Sequence, residues 1–211
     1  MEIIDEAKNI VLVGLMGSGK SAIGRTIAKK LGRRFIDTDR FIERKVGKTV
    51  GEIFEQDGEI SFRAREKEII KKISQYIGIV IATGGGVIKD PENFNCLKQS
   101  GWIIALYASP ETLYKRIEGK RVRPLLLNQV DPVKALDVIQ KERKSMYAKA
   151  DFQIDTENKE INDIADEIIE LLNINKIKNF DVGLNKLNFT RPIVILKSNL
   201  YKYQFSTIAA K

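Results

Sequence analysis

An α/β fold, a parallel sheet flanked by helices, is predicted by three features of the 211-residue sequence. Short β-branched runs alternate with long amphipathic stretches, the arrangement of a doubly wound sheet. The runs are apolar on both faces, as suits parallel strands covered by helices on each side. The length fits one full domain with a small appendage, and 43% hydrophobic with 30% charged residues is a globular composition.

In chain order, residues 10–13 (IVLV) read as the first strand and 20–31 as the helix behind it. Residues 35–37 (FID) form a second strand, followed by helical patterns over 39–46, 50–56 and 59–76. The run 79–82 (IVIA) is a third strand and 91–99 the next helix. Residues 103–107 (IIALY) and 152–154 are strands, with helices over 110–118, 132–148 and 160–172. Ligands of such sheets sit beyond the carboxyl ends of the strands, so residues just after each run are the first candidates for chemistry.

The charge is unevenly placed. Of a net +8, residues 176–211 hold seven bases against Asp181, whereas 1–175 hold 29 basic and 27 acidic residues. The division expected is a catalytic domain over 1–175 and a basic C-terminal extension over 176–211, in which 192–196 (PIVIL) could add an edge strand. A balanced domain with a basic tail argues against nucleic acid as the partner. No window approaches 18 consecutive apolar residues and the N-terminus carries acids where a signal peptide has bases, so no membrane partner and a cytoplasmic location are expected. One cysteine, Cys96, forms no internal disulfide. The absence of histidine removes His triads, imidazole metal sites and His general bases.

Directly after the first strand stands Gly14-Leu-Met-Gly17-Ser18-Gly19-Lys20-Ser21, a full G-x-x-x-x-G-K-[ST] loop. Its glycines let backbone N–H groups converge as an anion nest, and the helix starting near Lys20 adds its positive end. In such a loop Lys20 reaches the β- and γ-phosphates and Ser21 meets Mg²⁺. A GTPase would need Asn-Lys-x-Asp, but Asn175-Lys176-Ile177-Lys178 lacks the aspartate. A motor or transporter ATPase would usually end a strand in Asp or Asp-Glu, whereas the third run ends in Thr83-Gly84-Gly85-Gly86. A small-molecule kinase fits better.

Asp37 and Asp39 at the end of the second strand offer one carboxylate toward Mg²⁺ through water and one toward a hydroxyl; Asp39 could alternatively cap the helix that follows. Gly84, Gly85 and Gly86 bring bare backbone to the same edge, as close ligand approach requires or a plain turn would use. Arg63 faces Glu66 one helical turn on, a pattern also met in surface ion pairs. Lys120 to Leu126 (KRVRPLL) crowds cations beside a proline, as a mobile cover over phosphates or a solvated loop would.

In order and spacing, GLMGSGKS, FIDTD, GEISFRAREKE, IATGGGVI, RPLL and ERKSMY resemble shikimate kinase over residues 8–172. The resemblance implies a five-stranded parallel sheet of P-loop NTPase fold and a monomer. It implies phosphorylation of the 3-hydroxyl of shikimate to shikimate 3-phosphate by Mg·ATP, in aromatic amino acid biosynthesis. Carried over, Gly14, Gly17, Ser18, Gly19 and Lys20 hold ATP phosphates, and Ser21 with Asp37 holds Mg²⁺. Asp39 binds the reacting hydroxyl as candidate base. Arg63 and Arg143 grip the shikimate carboxylate beside Gly84, Gly85 and Gly86. Arg123 is the lid arginine and Arg116 stacks on adenine.

Two departures stand out. Many members have R-x-P-L-Y where this chain has Arg143-Lys144-Ser145-Met146-Tyr147, and Asp155-Thr156-Glu157-Asn158-Lys159 lacks a proline that packs on adenine in some members. The rival readings are a kinase of gluconate or of a nucleoside monophosphate, and a non-enzymatic nucleotide- or nucleic-acid-binding protein.

Overall fold

The structure, a computed structural model, describes residues 7–119, 126 and 129–185, with backbone alone over 174–185. Strands β1 (Asn9–Gly14), β2 (Phe35–Asp37), β3 (Val80–Ala82), β4 (Gly101–Tyr107) and β5 (Phe152–Asp155) make one parallel sheet in the order β2-β3-β1-β4-β5. All five predicted strands are present, within two residues at each end.

Alternation along β1 divides the core. Ile10 and Leu12 point to one face and Val11 and Val13 to the other, all essentially without solvent contact. The first face is covered by α1 (Lys20–Lys30), through Ile23 and Ile27, and by α8 (Ile161–Asn185), through Ile164, Ile168 and Leu172. The opposite face is covered by α2 (Thr38–Val46), α3 (Val50–Gln56), α4 (Gly58–Ile73) and α5 (Pro91–Ser100), through Ile42, Ile53, Ile69, Ile70 and Leu97. Each such side chain contributes about 1.5–3 kcal/mol of burial, so both faces are strongly committed. A third cluster, of Leu15, Leu113, Ile117 and Leu136, joins α6 (Pro110–Ile117) and α7 (Pro132–Tyr147) to the carboxyl edge.

Register levels the strand ends: Asp37 lies opposite Ala82 and Ala82 opposite Leu12. The loops leaving β1, β2 and β3 therefore open on one edge. At the opposite end the buried Asn9 side chain donates to the Tyr76 carbonyl (2.7 Å) and accepts the Ile79 N–H (3.0 Å), fixing where the chain enters β3. This explains why α4 stops at Ile73 rather than reaching Tyr76: the chain must turn there to be received by β1.

The last helix continues through position 175 to Asn185. The rest of the basic extension, including the possible strand at 192–196, lies outside the described residues. Among the described residues no helix is long and apolar enough to cross a membrane.

Candidate active site

The phosphate loop occupies the turn from β1 to α1. Gly17 has φ +83°, and a Cβ there would lie 2.5 Å from the Leu113 carbonyl oxygen, so conformation and space both demand glycine. Lys20 is 9% exposed. Its Nζ donates to the carbonyls of Gly14 (2.9 Å) and Leu15 (2.8 Å), which holds the ammonium within the loop. Ser21 Oγ donates to Asp37 Oδ2 at 2.5 Å, bringing hydroxyl and carboxylate together across the start of α1 and the end of β2.

Asp37, and not Asp39, caps α2: Asp37 Oδ1 accepts the Arg40 N–H at 3.2 Å. The helix begins at Thr38, one residue before the predicted start, so Asp39 falls in its first turn. The Thr38 hydroxyl accepts the Gly84 N–H at 2.9 Å and draws the glycine loop against α2. A Cβ on Gly84 would stand 2.6 Å from Asp39 Oδ1 and 2.9 Å from Glu66 Oε1, so both carboxylates converge on the bare backbone.

Glu66 is 1% exposed while the Arg63 side chain keeps 28% exposure, so the pair is part-buried, with its carboxylate end buried, rather than a surface ion pair. Arg63 donates to Glu66 Oε2 (2.7 Å) and to Glu59 Oε1 (3.1 Å). Among the described residues nothing hydrogen-bonds Glu66 Oε1. Burial pushes the Glu66 carboxyl above its ordinary pKa, Arg63 opposes this, and Asp39 and Asp90 add to it. Burial alone would lower the Arg63 pKa, but Glu66 and Glu59 more than offset it and the net shift is upward.

Two arginines close the far side of the loop. The Arg63 guanidinium lies 2.6 Å from where a Gly86 Cβ would stand. Arg143, from α7 and 5% exposed, donates to the Gly85 carbonyl at 2.6 Å. Contact with consecutive glycines brings α4 and α7 to one loop.

A cavity of about 800 Å³ runs along this edge, lined by the phosphate loop, Asp37, Asp39, Thr83, Gly85 and, at its far end, Arg116, Thr156 and Ile161. Arg63 and Arg143 do not line it; they stand behind Gly85 and Gly86. Arg116 donates to the Thr156 hydroxyl (2.9 Å) and carbonyl (2.6 Å) and to the Gly17 carbonyl (3.4 Å), tying α6 to the loop after β5 and to the phosphate loop. Arg123 lies outside the described residues.

Thus the structure brings together Gly17, Ser18, Gly19, Lys20, Ser21, Asp37, Asp39 and Gly85 around one cavity, with Arg116 at its end and Gly14, Arg63, Gly84, Gly86 and Arg143 adjoining but not lining it. Sequence reasoning named Glu66 only as a partner of Arg63 and did not select Ile161. Among His, Cys, Asp and Glu of the described residues there is no group of three placed to hold a metal. The Ser21–Asp37 pair nevertheless suits Mg²⁺, whose hard, octahedral demand is met by one or two protein oxygens plus water and phosphate.

Gly84→Ala should destabilise the protein by about 1–3 kcal/mol, the usual cost of an overpacked site, because two carboxylates already fill the space. Urea unfolding would check it; an unchanged midpoint would mean that Asp39 and Glu66 swing aside freely.

The sequence model of the shikimate kinase family matches residues 16–173. A shikimate kinase of Pelotomaculum thermopropionicum is 43% identical over 165 residues, 78% of this chain and 95% of that protein. One of Symbiobacterium thermophilum is 45% identical over 166 residues, with the same shares. The solved structure of shikimate kinase from Acinetobacter baumannii in complex with shikimate superimposes with a TM-score of 0.78 at 39% identity, over 81% of this chain and 95% of that one.

Proposed function

The chain belongs to the shikimate kinase family, and from that premise we propose that it transfers the γ-phosphoryl group of ATP to the 3-hydroxyl of shikimate, giving shikimate 3-phosphate and ADP. The observation that carries the reading is a single strand edge on which a complete phosphate loop, a hydroxyl–carboxylate pair, Asp39 and two arginines around a triple-glycine loop adjoin one cavity.

Phosphoryl transfer asks for alignment and charge neutralisation more than covalent help from the protein, which is why a site without histidine suffices. Lys20 turns from the Gly14 and Leu15 carbonyls to the phosphates. Ser21, and Asp37 through water, would hold Mg²⁺, which when bound neutralises β- and γ-phosphate oxygens. Asp39 orients the acceptor hydroxyl and takes its proton as the oxygen bonds to phosphorus and the bond to ADP breaks. Arg63 and Arg143 receive the acceptor's carboxylate, since a guanidinium offers paired planar donors. The acceptor thereby lies beside the glycine loop with its hydroxyl toward Asp39 and the phosphate loop, and the protein acts as a monomer.

ADP release measured with and without shikimate tests the reading. Release should depend on shikimate and fail with gluconate or nucleoside monophosphates; turnover of either in preference to shikimate would overturn it. Salt-sensitive binding of RNA or DNA without acceptor turnover would favour a binding protein instead.

For the nucleotide base, Arg116 donates from Nη1 and Nη2 to Thr156 and Gly17, which fixes the guanidinium plane and leaves its face to stack on adenine. Ile161 is 44% exposed on the wall of the same cavity and supplies the apolar surface that the absent proline would give. Ile161→Ala should raise the KM for ATP by roughly five- to tenfold, the order expected at ~0.8 kcal/mol per buried CH₂ when part of a side chain is lost, and leave the KM for shikimate in place. Steady-state kinetics with each substrate varied in turn would decide; an unmoved ATP KM would take Ile161 out of the base site.

A further inference from the structure

We propose that Tyr147 is a positioning residue that takes over the Gly85 carbonyl from Arg143 when Arg143 turns to the acceptor's carboxylate. The inference rests on the reading of Arg143 given above and adds what happens to the group that arginine leaves.

The Gly85 carbonyl has two donors from one face of α7, a single turn apart. Arg143 Nη1 is at 2.6 Å and the Tyr147 hydroxyl at 3.4 Å. The first is a short charge-assisted bond and the second is long enough to be weak. In this state Arg143 satisfies the carbonyl and Tyr147 stands beside it. Drawing the guanidinium onto a carboxylate would strip the part-buried carbonyl of its strong donor, and a carbonyl that an acceptor closes off from water is costly to leave unmade.

Tyr147 is suited to fill the gap. Burial holds its phenol up at about 12, with Arg143 pulling the other way, so it remains an O–H donor across the neutral range. Tyr147 also borders a separate cavity of about 350 Å³ beside Leu15, Leu113 and Gln140, so it is not packed on every side. The position of Gly85 gives the hand-over a consequence. A Cβ on Gly85 would lie 3.6 Å from the Gly14 carbonyl oxygen and 3.7 Å from the Met16 nitrogen, so this peptide is packed against the phosphate loop. Holding its carbonyl keeps the glycine loop seated while the arginine is engaged elsewhere.

An interaction strengthened only in the acceptor-bound state must appear in acceptor affinity and not in the stability of the free protein. Tyr147→Phe in the full-length chain should raise the KM for shikimate about three- to tenfold, the span of one neutral hydrogen bond. The ligand-free melting temperature and the KM for ATP should stay within error. In an Arg143→Ala background the same substitution should add nothing, because no hand-over remains to be made.

Wild-type turnover of shikimate, measured first, tests the parent reading by itself; the Tyr147 comparison is then made against that active enzyme. An unchanged shikimate KM in Tyr147→Phe would overturn the hand-over. So would an equal rise in the Arg143→Ala background, or a fall in ligand-free melting temperature without a KM effect, which would mark Tyr147 as a packing residue.

Discussion

Lys20→Ala should leave a folded protein whose phosphoryl transfer is about 10² to 10³ slower, the usual effect of deleting one preorganised charge from a transition-state site. The Lys20 ammonium is held inside the loop by the Gly14 and Leu15 carbonyls, at the place where phosphate oxygens must come. Truncation leaves those carbonyls without this donor, at roughly 1–3 kcal/mol of stability. That loss is visible in a melt but too small to explain the rate by unfolding. Lys20→Arg is a poor rescue, since the planar guanidinium does not fit where a compact ammonium lies within 3 Å of two carbonyls. Asp37 allows a cleaner separation. Alanine there would remove both the partner of Ser21 and the cap of α2, worth about 0.5–2 kcal/mol. Asp37→Asn keeps an oxygen for the Arg40 N–H and discards only the charge, so it should lose activity while keeping its melting temperature. Retained transfer in folded Lys20→Ala would refute the phosphate-loop mechanism.

What could be read from sequence was what the chain determines locally. The phosphate loop is contiguous and each strand is a short run. Asp37 and Asp39 were placed at the right strand end. Which of them caps depended on the one residue by which α2 begins earlier, and boundaries of that kind are set by packing. Glu66 shows a different limit. Its spacing from Arg63 is written in the sequence, but its burial arises because α4 lies against the glycine loop after β3. Ile161 and Tyr147 acquire their settings from residues far off in the chain: Ile161 shares a cavity with Arg116, and Tyr147 shares a carbonyl 62 residues away with Arg143. Periodicity reports which face of a helix is apolar, not which exposed isoleucine lines a cavity or which part-buried hydroxyl stands beside a backbone oxygen.

The arginine pair should decide which acceptor is used. Arg143→Ala is expected to raise the KM for shikimate by tens-fold or more and to leave ATP binding nearly intact, because truncating one partner of a closed, hydrogen-bonded charge pair costs roughly 2–5 kcal/mol. Arg63 needs another substitution. Glu66 is almost wholly buried against it, so Arg63→Ala would strand a buried carboxylate, a change that costs about 3–5 kcal/mol of stability and would obscure the kinetics. Arg63→Lys keeps a cation for Glu66 and Glu59 while giving up the paired planar donors, so it isolates carboxylate recognition from folding. Its shikimate KM should rise in the same direction as that of Arg143→Ala, with a melting temperature close to wild type. A shikimate analogue with a neutral amide in place of the carboxylate supplies the control. Wild type should reject it, since its two guanidiniums would face a group that cannot pair with them, and both variants should lose most of that preference. If wild type phosphorylates the amide as readily as shikimate, the arginines do not read the carboxylate. Their hold on Gly85 and Gly86 would then serve only to seat the loop.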